Sequence, residues 1–352
     1  MKKIRMLSLF SGIGAPETAI KNLGYDLELL NFCEIDKYAS TSYETIHKEN
    51  KSKNLSDVRL VDGTTIKDVD LLFHGSPCQS FSIAGKQEGG DKNSGTKSSL
   101  MWETVRIVSE CKPKIVIWEN VKSVLNKNHK HNFDAYLSEL SKLGYESNYK
   151  IISPRDVGEA QSRPRVFVVS MLGKQFEFPS IKKQQQRTIG DYLESKVSES
   201  YTLSKKSALN LANSNPNFKG RMTVLRHNDL ANCLVAKGGK AARTNNFVLF
   251  DTGDYSKLID SKNINHLIDS DIHIRGLTPL EYWRLQGFTD EQFYKARKAL
   301  ADTYKNGELI KADAQLYKQA GNSINVKVLE SFIGKVIDNL QKQINERCRY
   351  NE

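Results

Sequence analysis

Between residues 6 and 171, short apolar runs that stop at a glycine, a proline or an acid are interspersed with stretches whose apolar residues recur at helical spacing. Residues 6–10, 27–33, 69–74 and 114–118 are such runs, each with the length and apolar weight of a buried strand. Helical patterns start near Pro16, ending at Gly24, and recur over residues 100–108 and 133–143. Strands joined through helices lie parallel, because the helix carries the chain back to the edge where the last strand began. Residues 145–152 and 166–171 read as a further strand pair, joined by residues 156–165. The expected fold class is α/β, a doubly wound, mostly parallel sheet with antiparallel additions and a smaller, irregular, β-rich second domain.

Ligands of such sheets gather at the carboxyl ends of the strands. The first strand runs into Ser11-Gly12-Ile13-Gly14-Ala15, a tight turn whose glycines let backbone N–H groups approach a ligand at a helix N-terminus. The third glycine of a dinucleotide fingerprint is missing, because Glu17 takes its place. The second strand ends in Glu34, 20 residues past Gly14, the spacing at which an acid reaches ribose hydroxyls. A solvated loop carboxylate is the competing reading, and Asp57-Val58 is either loop or a third corner of the same pocket. The third strand ends in Gly75-Ser76-Pro77-Cys78-Gln79-Ser80-Phe81-Ser82, with a thiol just past the strand. Cys78 by itself is either a nucleophile or a small buried hydrophobe. His74, four residues earlier, reads as packing or backbone support. Residues 83–97 hold four glycines and little to bury, so they form a lid or a plain surface loop. The fourth strand ends in Glu119-Asn120-Val121, a second acid on that edge.

At 352 residues the chain exceeds one ordinary core. Its net charge of +11 favours a polyanion such as nucleic acid. Five cysteines without CxxC spacing suggest neither a disulfide framework nor a metal site, and they imply a reducing, cytoplasmic compartment. No apolar run approaches the roughly 18 residues of a membrane span. Near Phe178 and Pro179 the alternation stops. From Lys219 to Phe247 there are six basic residues, Lys219, Arg221, Arg226, Lys237, Lys240 and Arg243, against the single acid Asp229. With Gly238-Gly239 they make either a surface that follows phosphates or a solvated basic face. Regularity returns at residues 275–288, where Thr278 suits an N-cap, Pro279 the first helical position and Gly287 the place after the last turn. Beyond Gly321-Asn322-Ser323 comes a helix with Val326, Leu329, Phe332, Ile333, Val336, Ile337 and Leu340 on one face.

Taken in order and spacing from about residue 4 to 335, these stretches resemble the DNA cytosine-5 methyltransferases. The resemblance rests on Phe10-Ser11-Gly12-Ile13-Gly14, Pro77-Cys78-Gln79, Glu119-Asn120-Val121, Gln161-Ser162-Arg163-Pro164-Arg165, residues 275–288 and Gly321-Asn322-Ser323. It implies a thiolate, Cys78, adding to C6 of a cytosine, with Glu119 sharing a proton at N3, Asn120 orienting it, and Arg163 and Arg165 holding base and acid. It implies S-adenosylmethionine as cofactor, held by Phe10, Gly12, Gly14, Glu34, Ile35, Asp57, Val58, Pro77 and Asn322. Gly95-Thr96-Lys97 only approximates a further family motif, and no contact is assigned there. Double-stranded DNA would be the partner, contacted by Gln79, Ser80, Ser82, Lys86, Arg226, Lys237, Gly238, Gly239, Lys240 and Arg243. The enzyme would be a monomer of the bacterial cytoplasm, paired functionally with a restriction endonuclease or standing alone. Residues 1–178, completed by 312–352, would bind cofactor and do the chemistry, with target recognition in 179–290 and a connector at 291–311. A tRNA-acting member of the fold would carry an aromatic Cys-Phe-Thr stretch absent here. A regulator on a dead scaffold would not need Cys78, Glu119, Arg163 and Arg165 together. A cysteine hydrolase or thiol oxidoreductase would need a histidine partner or a CxxC.

Overall fold

The computed structural model describes residues 3–78, 89–182, 184–204, 207, 223–236, 238, 246–250, 273–304 and 307–350. Its strands are β1 Ile4–Leu9, β2 Leu27–Cys33, β3 Leu71–His74, β4 Ile115–Val121, β5 Tyr145–Ile152, β6 Arg165–Leu172, β7 Thr223–Leu225, β8 Asn246–Phe250 and β9 His273–Gly276. The helices among the described residues are α1 Ala15–Asn22, α2 Lys37–His47, α3 Met101–Cys111, α4 Lys130–Lys142, α5 Pro279–Leu285, α6 Asp290–Ala301, α7 Leu309–Asn322 and α8 Val326–Tyr350. The chain forms two compact units, one of Met1–Ser153, Pro164–Lys182 and Val326–Glu352, the other of Pro154–Arg163 and Lys183–Asn325.

The first unit is built on one six-stranded sheet in the order β2-β1-β3-β4-β6-β5. β2, β1, β3 and β4 run parallel, whereas β6 is antiparallel to both β4 and β5. This is the doubly wound, mostly parallel α/β sheet expected from the sequence. Every residue of β3 is buried, as a strand covered on both faces requires. On one face Leu7, Leu72, Val116 and Val166 pack with Met101 and Ile107 of α3 and with Phe133 and Leu140 of α4. On the other, Phe167 of β6 lies 5.2 Å from Phe332 of α8, ring centre to ring centre. α8 also covers α1, and the contact is fastened at its rim by Asn22 Nδ2 donating to Glu330 Oε1 at 2.7 Å and Tyr25 Oη to Asp338 Oδ1 at 2.9 Å. α2 had no clear apolar period in the sequence. It is started by Asp36, whose carboxylate accepts from the N–H of Tyr38, and held by Tyr43 stacked 4.2 Å from Phe32.

Two core histidines bear on acid stability. His74 is fully buried, shares a 2.7 Å hydrogen bond with Tyr136 Oη and stacks on Trp118, so it is packing rather than a partner for a nucleophile. His47 lies under the β1–α1 turn, its Nε2 3.1 Å from the Ile13 carbonyl oxygen. Burial pushes both imidazoles down to about 3, so both fold in the neutral form. The unfolded chain takes up those protons near pH 6.5 and the folded chain only near pH 3. Stability should therefore fall as pH drops from 6.5 toward 3, by up to about 1.4 kcal/mol per pH unit for each histidine. Urea midpoints at pH 7 and pH 5 should differ clearly less for a His47→Asn/His74→Gln variant than for the unaltered chain. An equal difference would show that these rings do not carry the acid sensitivity.

The second unit holds a small sheet in the order β7-β8-β9, with β7 parallel and β9 antiparallel to β8. At the end of β9, Arg275 forms a buried two-pronged ion pair with Glu281, at 2.8 and 2.7 Å. The same carboxylate accepts from the Thr278 N–H while the Thr278 hydroxyl caps α5, and Pro279 and Gly287 stand where the sequence reading put them. Trp283 of α5 donates to the Leu316 carbonyl oxygen of α7, and Arg297 of α6 pairs with Asp313 of α7 at 2.7 Å. These bonds hold residues 312–322 within the second unit rather than the first, and they place 291–301, expected as connector, inside a packed helix.

Candidate active site

Parallel β2, β1, β3 and β4 present all their carboxyl ends on one edge of the sheet, and the chain leaves β1 for β2 on one side and for β3 on the other. A crevice at such a switch point is where this class of sheet takes its ligands. β6 begins where β4 ends, with Val121 opposite Arg165, so the start of β6 joins the same edge.

The β1 end turns sharply. Phe10, Gly12 and Gly14 all have positive φ, at 54°, 56° and 76°. At Gly14 glycine is also required by space, because a Cβ there would overlap the His47 imidazole. Across the turn, Glu34 accepts from the Gly12 N–H at 2.8 Å through one carboxylate oxygen and from the Asp36 N–H at 2.8 Å through the other. Asn54 holds the Glu34 backbone in place, accepting from its N–H at 3.1 Å and donating to its carbonyl at 3.0 Å. Ile35, next in the chain, is 71 % exposed, an isoleucine left open beside a fixed carboxylate. Asp57 is held below the usual carboxylate range by hydrogen bonds from the Arg59 side chain, whose guanidinium lies 2.5 Å away. The sequence reading had not noticed Arg59. Val58 points into the core, so only its backbone is on offer. A turn that exposes backbone, a fixed acid and an open apolar side chain fit a nucleoside carrying ribose hydroxyls and a flat base.

Cys78 follows β3 by four residues and is half-buried, with Pro77 beside it. Among the other cysteines, Cys33 and Cys111 have thiols pushed up to about 12, chiefly by burial, which keeps them protonated and inert at neutral pH. Glu119 and Asn120 lie within β4, which continues past Trp118 because β6 offers it an antiparallel partner through Val121. Glu119 forms an ion pair with Arg165 Nε at 3.0 Å, with the two side chains only 13 % and 14 % exposed. Strand geometry explains the pair: residues 119 and 121 point to the same face, and Arg165 stands opposite Val121. Asn120 is buried and donates through Nδ2 to the Ser76 carbonyl oxygen at 3.2 Å.

The first unit thus gathers Phe10, Gly12, Gly14, Glu34, Ile35, Asp57, Val58, Pro77, Cys78, Glu119, Asn120 and Arg165. Arg163 belongs to the second unit. There its Nη1 donates to the Leu234 carbonyl oxygen at 2.7 Å, and its Nη2 donates to those of Gly321 and Ser323 at 2.8 and 3.0 Å. These bonds tie three segments of that unit together. Asn322 is exposed at the end of α7, Arg226 pairs with Asp229 at 3.3 Å, and Gly238 packs where a Cβ would overlap the Tyr317 ring. Gln79, Ser80, Ser82, Lys86, Lys237, Gly239, Lys240 and Arg243 lie outside the described residues.

A doubly wound sheet whose carboxyl edge carries a glycine turn with a fixed acid, a thiol and a carboxylate–guanidinium pair is the framework of an α/β enzyme. The chain belongs to the C-5 cytosine-specific DNA methylases, whose family pattern it matches over residues 4–338, and it is a DNA cytosine-5 methyltransferase. It is 34% identical over 322 residues to the type II methyltransferase M2.ScrFI of Lactococcus lactis subsp. cremoris, covering 89% of this chain and 79% of that one. It is 28% identical to the orphan methyltransferase M.SPRI of Bacillus phage SPR, covering 96% of this chain and 98% of the other. In fold it is similar to the Entamoeba histolytica methyltransferase EhMeth, with a TM-score of 0.71 at 20% identity over 97% of this chain and 99% of that one. Family membership implies DNA as substrate and a bound methyl donor. No helix among the described residues is long and apolar enough to cross a membrane.

Proposed function

We propose that this enzyme methylates C5 of a cytosine within a specific site of double-stranded DNA, using S-adenosylmethionine and a covalent bond through Cys78. The observation that carries this reading is that one sheet edge holds Cys78, the Glu119–Arg165 pair and the turn closed by Glu34. Phe10, Gly12, Gly14, Glu34, Ile35, Asp57, Val58 and Pro77 are the residues of the first unit that would hold the cofactor. Bound there, S-adenosylmethionine supplies an electrophilic methyl group. The base must leave the duplex, because C5 and C6 are out of reach within the stack. Cys78 attacks C6 as thiolate, forming an S–C6 bond whose electrons pass into the ring and make C5 nucleophilic. Glu119 gives or shares a proton at N3, and Arg165 holds that carboxyl in place. Transfer of the methyl group to C5 would leave the donor as a neutral thioether; loss of the C5 proton to water then expels Cys78 as thiolate while N3 returns its proton to Glu119, restoring the aromatic base. Asn120 and Arg163 are positioning residues in this scheme. Residues 179–274, where no family motif falls, would read the site, with basic side chains following the phosphates. The enzyme would act as a monomer in the bacterial cytoplasm, as partner of a restriction endonuclease or as an orphan, the two kinds of relative it matches.

Purified protein, unmethylated duplex DNA and methyl-labelled S-adenosylmethionine should yield labelled DNA, and bisulfite sequencing should place every mark at one short sequence. Label in transfer RNA instead of DNA, or none at all, would overturn the proposal.

A further inference from the structure

The chain that carries Cys78 leaves the β3–β4 ladder four residues before the cysteine. The β3–β4 ladder ends at His74 opposite Trp118, while β4 runs on to Val121 against β6. Pro77, next to the cysteine, has no N–H with which to extend the ladder. In its place stands Ser76, only 3% exposed. Its hydroxyl oxygen accepts from Trp118 Nε1 at 3.0 Å and from Asn120 Nδ2 at 3.5 Å, and its carbonyl oxygen accepts from the same Asn120 amide at 3.2 Å. Asn120 is fixed in turn, because its Oδ1 takes the Val121 N–H at 2.8 Å. Trp118 and Asn120 flank Glu119 in β4, so their side chains share one face of the strand and Glu119 takes the other.

We propose that Ser76 is a positioning residue for methyl transfer, its side chain setting the Cys78 loop at a fixed height against the strand that carries Glu119. This rests on the roles of Cys78 and Glu119 given above. Nucleophile and proton donor must meet one ring at C6 and N3 together, and an error of about 1 Å in such an arrangement costs on the order of a hundredfold in rate. The Ser76 carbonyl bond to Asn120 survives any side-chain change, so removing the hydroxyl loosens the loop without releasing it.

The test is the rate at which a denaturation-resistant adduct forms with duplex DNA carrying 5-fluorocytosine, at saturating DNA and methyl donor. Ser76→Ala should slow it by roughly tenfold to a hundredfold while DNA affinity stays within about twofold. That substitution also leaves the buried Trp118 indole N–H without its acceptor, which by itself destabilises the fold. The Ser76→Ala/Trp118→Phe variant removes both partners of that bond but leaves a cavity where the buried indole stood, so its melting temperature should lie below the unaltered value while its adduct rate stays low. If Ser76→Ala fails to fold, the double variant carries the test by itself. Adduct formation within twofold of the unaltered rate, or recovery of the rate in the double variant, overturns the inference. Absence of any adduct from the unaltered protein overturns the role of Cys78 and this inference with it, a result plainly different from equal rates.

Discussion

Replacing Cys78 with serine should lower methyl transfer by at least about a thousandfold and leave DNA affinity nearly unchanged. A free thiol with a pKa near 8.5 is already about a tenth ionised at pH 7.5, and a hydroxyl at the same place is not measurably ionised. The serine oxygen would replace a half-buried sulfur with little change in volume, so the fold and the turn at Glu34 should stand. Labelled methyl incorporation and a gel-shift titration measure the two quantities separately. Turnover close to that of the unaltered enzyme would sink the covalent route. Cys33 and Cys111 cannot stand in, because burial keeps their thiols protonated.

Glu119→Gln should cost about a hundredfold to ten-thousandfold in turnover, through a different defect. Glutamine keeps the shape of the side chain and an oxygen to accept from Arg165, now 3.0 Å from the carboxylate, so the geometry persists. What it lacks is a proton that can be given to N3 as charge builds on the ring. The Cys78 adduct on 5-fluorocytosine DNA should therefore still form, only slowly, whereas Cys78→Ser should form none. Turnover within tenfold of the unaltered enzyme would remove Glu119 from the acid role and leave it as a partner for Arg165.

Much of the first unit was legible because parallel strands are buried on both faces and announce themselves as unbroken apolar runs. β2 spans residues 27–33 as read, and the Gly12–Gly14 turn and Glu34 follow their strands at the expected positions. The apolar run at residues 114–118 marks β4 and Glu119-Asn120-Val121 its end, but Glu119 and Asn120 have weak strand preference and do not by themselves show that the strand continues through them. Pairing with β6 overrides that preference, and no local pattern reports such pairing. α2 was missed for a related reason: much of its sequence is polar, and it is held by a cap at Asp36 and one stacked tyrosine. The two arginines of Gln161-Ser162-Arg163-Pro164-Arg165 looked equivalent in sequence. Their hydrogen bonds differ, Arg165 meeting a carboxylate and Arg163 meeting backbone carbonyls from segments roughly 70 and 160 residues away. Ser76 gave no signal at all, since its partners lie over 40 residues downstream.

The contact between α1 and α8 can form only after the more than 300 residues between them have been synthesised. α1 is finished at residue 22 and the helix that covers it at residue 350, so at ordinary rates of synthesis the first waits roughly 15 to 60 s for the second. During that interval the turn at Gly12 and Gly14 leads into a helix with one apolar flank open. A growing chain long enough to contain Cys78, Glu119 and Arg165 still lacks the helix that packs on α1, just past the Gly12–Gly14 turn. Only when α8 has been made can the face that α1 leaves open be covered.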